Sequence, residues 1–492
     1  MKEKKKNLKT GITLVALVIT IVIMLILASV TIGAINGGLF DYAGKAKTET
    51  EKAQYIEALQ VATLEANRFA EIKSKCQKNI IFENATYTEY LEDQMLIVKT
   101  KENYQFLVTK KDVKEIGYID VTNNSLKIYP DYYIQGEQKT TYSGKSFIIT
   151  GTTTFNTVEI YGDKTNTFDI NIYNLSVQVN SIENTCAFNI KEGANINLHL
   201  MGTNTFKSGS NYAGLQKSSK DGTLTIDGDG ILTANGGYCS AGIGGGNASA
   251  SVAASCTNII INSGIITANS GNNGSGIGAG YSGSAIVDNI QINGGVITAA
   301  GANAGIGTAR KGASVSNIKI TGGKVKAYSS YESVGIGGAN LSDVEISGGS
   351  LDVYTSISAK NLPAIGSKSS SGTVENILIT GGNAYIHSGS GSIHIGSSGT
   401  EVAPTNKDGE EVLQTIITLS GVNTELQITN IEFEDFTGTY GIKDMYTRNN
   451  GNVYLYLPAG AKVASITAGG SIYTIATPIE AGTSGTLTKW TE

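Results

Sequence analysis

Between Phe188 and Ile395 a short apolar-and-glycine motif recurs with a period near thirty residues. It reads Gly242-Ile243-Gly244, Gly276-Ile277-Gly278, Gly305-Ile306-Gly307, Gly335-Ile336-Gly337, Ala364-Ile365-Gly366 and His394-Ile395-Gly396. The central isoleucines lie 34, 29, 30, 29 and 30 residues apart, and Ala213-Gly214-Leu215 and Cys186-Ala187-Phe188 extend the series upstream. A sustained period of this length marks a stacked solenoid, whose repeats bury their apolar faces only against their neighbours.

A second motif interleaves with the first: Asn258-Ile259-Ile260-Ile261, Asn289-Ile290-Gln291-Ile292, Asn317-Ile318-Lys319-Ile320, Asp343-Val344-Glu345-Ile346 and Asn376-Ile377-Leu378-Ile379. Apolar residues alternate with variable ones, which is the period of a half-buried strand. Each copy runs into a glycine-containing turn, such as Gly294-Gly295 or Gly322-Gly323, and then into a second short strand. Nothing in the repeat has the length or spacing of a helix, so like strands must pair in parallel about 4.8 Å apart. The expected fold is all-β dominated: a right-handed parallel β-helix over 131–400 with isoleucine stacked on isoleucine. Asparagine or aspartate at each corner is expected to bond neighbouring backbone.

Composition agrees. Sixty-one glycines and only 5 prolines in 492 residues suit a turn-rich β structure. Net charge is −5, and there are three arginines, Arg68, Arg310 and Arg448. A nucleic-acid binder would carry a basic stripe, so that class is disfavoured. The four cysteines, Cys76, Cys186, Cys239 and Cys256, form no CxxC pair. Cys239 and Cys256 flank one glycine-rich loop and are the pair that would bridge, although free buried thiols fit better. The three histidines lack metal-ligand spacing.

At the N-terminus a lysine-rich leader, residues 1–11, precedes an apolar run over 12–35, with no charge between Lys9 and Asp41. That run is long enough to span a bilayer as a helix, with the lysines inside. Lys9-Thr10-Gly11-Ile12-Thr13-Leu14 resembles the processing site of prepilin-type (type IV pilin-like) proteins. The resemblance implies cleavage after Gly11 by a prepilin peptidase, a new terminus at Ile12, and pilin-like subunits as partners. Ala16 stands where that family carries a glutamate facing the next subunit, which favours an anchor or minor subunit over a fibre-forming one.

The segment 12–76 reads as a transmembrane and pilin-like helix, its outer part marked by Tyr55, Leu59, Ala62, Ala66 and Phe69 at helical spacing. Residues 77–130 read as a small α+β module with a short helix over 88–95 and strands near 96–99, 104–109 and 116–121. The solenoid then begins near Tyr132. Its stretch 198–246, with Gly-Thr-Leu-Thr-Ile-Asp-Gly-Asp-Gly-Ile-Leu-Thr-Ala followed by Ala-Gly-Ile-Gly-Gly-Gly, resembles carbohydrate-binding parallel β-helix proteins of Gram-positive bacterial surfaces. That resemblance implies extracellular glycan binding. Some such proteins bind calcium, but Asp227 and Asp229 are the only paired carboxylates in a comparable turn, too few for an oxygen cage. No metal or cofactor is expected. Residues 401–412 read as a linker, and 413–492 as a C-terminal β domain capping the solenoid's open end.

Catalysis is disfavoured. Sugar hydrolysis requires carboxylates at defined separation on one face, and those between 230 and 400 form no such recurring pair. One outward cluster stands out instead. Counted from each glycine turn, Val325, Ala327, Leu351, Val353, Ala384 and Ile386 point inward. Lys326, Asp352 and Tyr385 then stack outward in one column, and Tyr328, Tyr354 and His387 in the next. Such residues stabilise a sheet by cross-strand stacking, and their flat rings also suit a sugar. The sequence thus leads to a membrane-anchored, surface-displayed β-helix protein that adheres to extracellular or cell-wall polysaccharide. A pilin-like structural stalk is the second reading and a polysaccharide lyase or hydrolase the third.

Overall fold

In the computed structural model the described residues are 39–492, less 91–93, 143, 181–183, 218, 251–252, 309–311, 332, 357, 359, 390–392 and 492. The processing site at Gly11 and Ile12 and the apolar run 12–35 lie outside them. Among the described residues no helix is long and apolar enough to cross a membrane. The chain forms two compact units that part at Ile116 and Gly117.

In the first unit the helix Leu39–Glu65 buries Tyr55, Leu59 and Ala62. The continuous helix expected through 76 is interrupted. Arg68 is extended, and the Glu71 carboxylate accepts the Asn67 N–H at 3.0 Å and the Arg68 Nε at 3.1 Å. The chain resumes as the short helix Ile72–Gln77, which adds Ile72 and Cys76 to the core. The helix expected over 88–95 is also corrected. Thr86–Tyr90 is a strand, antiparallel to Met95–Lys99 in a four-stranded sheet completed by Gln105–Thr109 and Val113–Glu115. Its Thr-Tyr-Thr-Glu-Tyr sequence favours a pleated surface.

The second unit is a β-solenoid of about 9 turns. Parallel pairing begins ahead of Tyr132: Gly117–Asp120 pairs with Ser146–Thr150, and Leu126–Ile128 with Val158–Tyr161. The strand expected near 116–121 is therefore the first rung and no part of the smaller module. One sheet stacks Ile243, Ile277, Ile306, Ile336, Ile365 and Ile395 in register. All six are buried, in one core with the inward residues of the other sheet. The glycine after each isoleucine is required by the backbone. Gly337 has φ +147°, and a methyl there would collide with the Gly366 carbonyl of the next rung.

The corner residues behave only partly as expected. Asn258, Asn289, Asn317, Asp343 and Asn376 adopt left-handed φ between 54° and 58°, a conformation asparagine and aspartate tolerate better than most residues. Asn258 bonds backbone as expected, donating to Lys220 O at 3.0 Å, and the other bonds run between side chains. Asn289 donates to Asn258 at 2.9 Å, Asn376 to Asp343 at 2.9 Å, and Asn317 to Asp288 at 2.7 Å.

The C-terminal β domain has its own core, including Ile417, Leu455, Val463, Ile466 and Leu487. It does cover the last rungs, since Val412 and Tyr456 join the solenoid core. Residues 401–412 are more than a linker: the Thr405 N–H donates to Ile377 O at 2.9 Å and its carbonyl accepts from the Ile379 N–H at 3.0 Å, continuing the sheet. The domain also docks along the side of the solenoid. Segment 440–446 runs down the corner made by the paired glycines. There Gly382 N–H donates to Gly441 O at 2.7 Å, Gly349 N–H to Lys443 O at 2.7 Å, and Gly323 N–H to Asp444 Oδ2 at 2.9 Å. Small turns without side chains let a second backbone approach this closely.

Candidate functional site

The columns inferred from the alternation are present. Lys326 pairs with Asp352 and Asp352 with Tyr385, while Tyr328 pairs with Tyr354 and Tyr354 with His387. All six candidate side chains therefore share one face near the C-terminal end of the solenoid. Their rings are stacked on each other. Tyr328 and Tyr354 have centroids 5.0 Å apart and planes within 3°, and Tyr354 and His387 are 5.2 Å apart at 16°. His387 also lies against Tyr385 at 4.1 Å. In-register rungs are spaced about as far apart as stacked rings prefer to be.

The faces of Tyr354 and His387 are consequently covered by other rings. Tyr328 heads the pile, and its neighbour on the preceding rung is Ala300, too small to cover a ring. Among the described residues no ring stacks on its other face, toward the N-terminal rungs.

The other end of the cluster is closed by the C-terminal domain. Tyr454 packs on Tyr385 at 4.4 Å, and the Arg448 guanidinium lies 4.2 Å from the centre of the same ring. Arg448 also reaches Asp352 at 3.5 Å, and His387 Nε2 lies 3.2 Å from the other Asp352 oxygen. Burial works to raise the Asp352 carboxyl, but the His387 hydrogen bond and the Arg448 charge outweigh it and hold it below the ordinary range. Asn383 is buried and ties the two layers, donating to Tyr446 O at 2.7 Å and accepting from the Tyr454 N–H at 2.8 Å.

Between the rungs and the loop 446–450 lies a cleft of about 730 Å³, lined by Val296, Thr298, Lys326, Asp352, Tyr446 and Arg448 among others. Lys324 lines it too, paired with Glu425 at 2.6 Å and 4.0 Å from the centre of the Tyr446 ring. Lys326 is exposed, and among the described residues no carboxylate lies within salt-bridge distance of it. Its Nζ is 5.4 Å from the Tyr328 centroid and 5.6 Å from that of Tyr354, so it sits beside the pair rather than over a ring face. Arg448, Tyr446, Tyr454, Lys324 and Glu425 were not part of the cluster inferred from sequence. One signal for Arg448 existed: it is one of three arginines in the chain.

Across the glycine corner lies a second groove of about 1020 Å³, lined by the asparagine ladder, Lys319, Glu345 and Lys407. Its central polar groups satisfy one another, as in the 2.8 Å Lys319–Glu345 pair, and it reads as a structural ladder. Asp227 is engaged with His199. Among the described residues no group of three metal-ligating side chains occurs. All four cysteines are free and buried, and burial pushes the Cys186 and Cys256 thiols up to about 12.

The fold and the cleft together define a β-solenoid with a laterally docked β domain and an aromatic, partly cationic face. No known family, curated protein or solved structure matches the chain.

Proposed function

We propose that the protein is a cell-surface polysaccharide-binding protein that holds its ligand in the cleft beside Tyr328. The observation carrying this reading is the Tyr328 ring, stacked on one face only among the described residues, beside Lys326, which lines that cleft and has no carboxylate partner among them. An aromatic face packs against the apolar face of a pyranose, and flanking amide, hydroxyl and charged groups bond its polar rim. Loop 446–450 supplies Asn449 and Asn450 as such groups. The N-terminal resemblance supports membrane anchoring, with cleavage between Gly11 and Ile12 and the bulk of the chain outside the cell.

The stalk reading retains one specific support. Asp352, Tyr385 and His387 are engaged in holding the C-terminal domain, which is a structural task. Tyr328 and Lys326 are then the ligand-facing members of the original six, with Tyr354 as the support beneath. Screening the detergent-solubilised full-length protein against an array of bacterial and host polysaccharides tests the proposal. Binding that is lost in Tyr328→Ala supports it, and silence across the array leaves the stalk.

A further inference from the structure

Two features of the cleft say more about its ligand than that it is a sugar. The first is that the cleft is closed at one end. At the rung carrying Asn383, Tyr385 and His387 the sheet is covered: Asn383 is buried beneath Tyr446 and Tyr454, and Arg448 and Tyr454 flank Tyr385. Toward the N-terminus nothing comparable covers the face among the described residues. There the column Ile231, Ile265 and Val296 is exposed, and the neighbouring column Thr233, Thr267 and Thr298 is half-exposed. A chain lying along the axis can therefore leave the cleft in one direction only.

The second feature is the charge lining the cleft. Asp352, next to Lys326 in the same column, is occupied by His387 and Arg448. Glu425 is occupied by Lys324. Of the groups lining the cleft, Lys324, Lys326 and Arg448 carry three positive charges against two negative ones on Asp352 and Glu425. The unbalanced one is Lys326, which stands alongside Tyr328 and Tyr354. A carboxylate within reach of an ammonium in a partly dry cleft makes a charge-assisted hydrogen bond, stronger than a neutral one.

Resting on the glycan reading, we infer that the cleft recognises the end of a linear glycan whose terminal residue is an acidic sugar. That sugar lies on the open face of Tyr328 with its carboxylate on Lys326. The following residues run out over the threonine and isoleucine columns toward Ile231. The rung spacing of about 4.8 Å is close to the advance per sugar in an extended chain, so successive residues meet successive rungs.

The test uses the full-length protein and oligosaccharides of one backbone in three forms. One ends in a uronic acid, one has that carboxyl reduced to the alcohol, and one carries the uronic acid only at an internal position. The expected result is that the acid-ended form binds about tenfold or more tighter than the other two. Lys326→Met should erase that preference, lowering affinity for the acid-ended form about tenfold and for the reduced form much less, and Tyr328→Ala should weaken both end-matched forms. Lys319→Met, in the other groove, should change nothing. Equal affinity for the acid-ended and reduced forms overturns the acidic-sugar inference while leaving glycan binding in place. Equal affinity for terminal and internal acids overturns the closed end. Absence of binding by all three, together with a silent polysaccharide array, removes the glycan reading itself.

Discussion

Tyr328 and Tyr354 occupy the same column one rung apart, yet the proposed function gives them opposite roles, and alanine at each separates these roles. Tyr354 is stacked on both sides, by Tyr328 and by His387, whereas Tyr328 has one ring partner among the described residues. At about 0.5–1.5 kcal/mol for each aromatic pair, Tyr354→Ala should destabilise its rung by about 1–3 kcal/mol. The figure for Tyr328→Ala should be half as large. Binding should rank the other way. Full burial of an aromatic side chain contributes about 1.5–3 kcal/mol, so a ligand covering the free half of Tyr328 gains roughly 1 kcal/mol or slightly more. Its loss corresponds to about five- to tenfold in Kd. Stability is best read locally, by hydrogen exchange of strands Lys324–Ser329 and Asn340–Tyr354, because a solenoid need not unfold in one step. Affinity is read by titration with whichever polysaccharide the wild type binds. If Tyr354→Ala weakens binding more than Tyr328→Ala while leaving exchange unchanged, the assignment of the open face is wrong.

Ile336 is fully buried between Ile306 and Ile365. Ile336→Asp should open strand Val334–Gly338 and its two neighbouring rungs by leaving an unpaired buried charge. Nearest-neighbour coupling should spare the rung at Leu126–Ile128 in the same exchange experiment. The Asp352 contacts should also confer a pH dependence. A carboxyl held below its ordinary value of 3.8 contributes stability that is present above that value and lost as pH falls through the lower folded value. Loop 446–450 should accordingly become protease-sensitive in strong acid, and Asp352→Asn should show that sensitivity at neutral pH. At the other end of the chain, mass spectrometry of membrane-extracted protein should find Ile12 as the first residue, and an intact Met1 would exclude processing after Gly11.

The central rungs were legible because each repeats the same local signals. Isoleucine at a step of 29 to 34 residues, glycine after it, and an asparagine or, at 343, an aspartate ahead of the next strand mark the turns from Ile243 to Ile395. The first rung was missed because Gly117-Tyr118-Ile119-Asp120 carries none of these, as terminal repeats of solenoids are atypical. The break at Asn67 and Arg68 depends on a local carboxylate bond that helical spacing does not reveal. At the site, alternation alone placed all six side chains in two columns. The same columns implied the ring stacking that Tyr328, Tyr354 and His387 show, but alternation did not show that the C-terminal domain closes on Tyr385. Nor did it show Arg448, which meets Asp352 from 96 residues further along the chain and belongs to a domain with no repeat to align.

Hydrogen exchange of the full-length protein with and without saturating polysaccharide is the most direct test of the cleft as the binding site. Protection is expected in strand Lys324–Ser329 and in loop 446–450, extending weakly toward Ile265–Asn269, with no change around Lys319, Glu345 and Lys407. Protection confined to the asparagine-lined groove, or to the first unit before Gly117, would contradict the account.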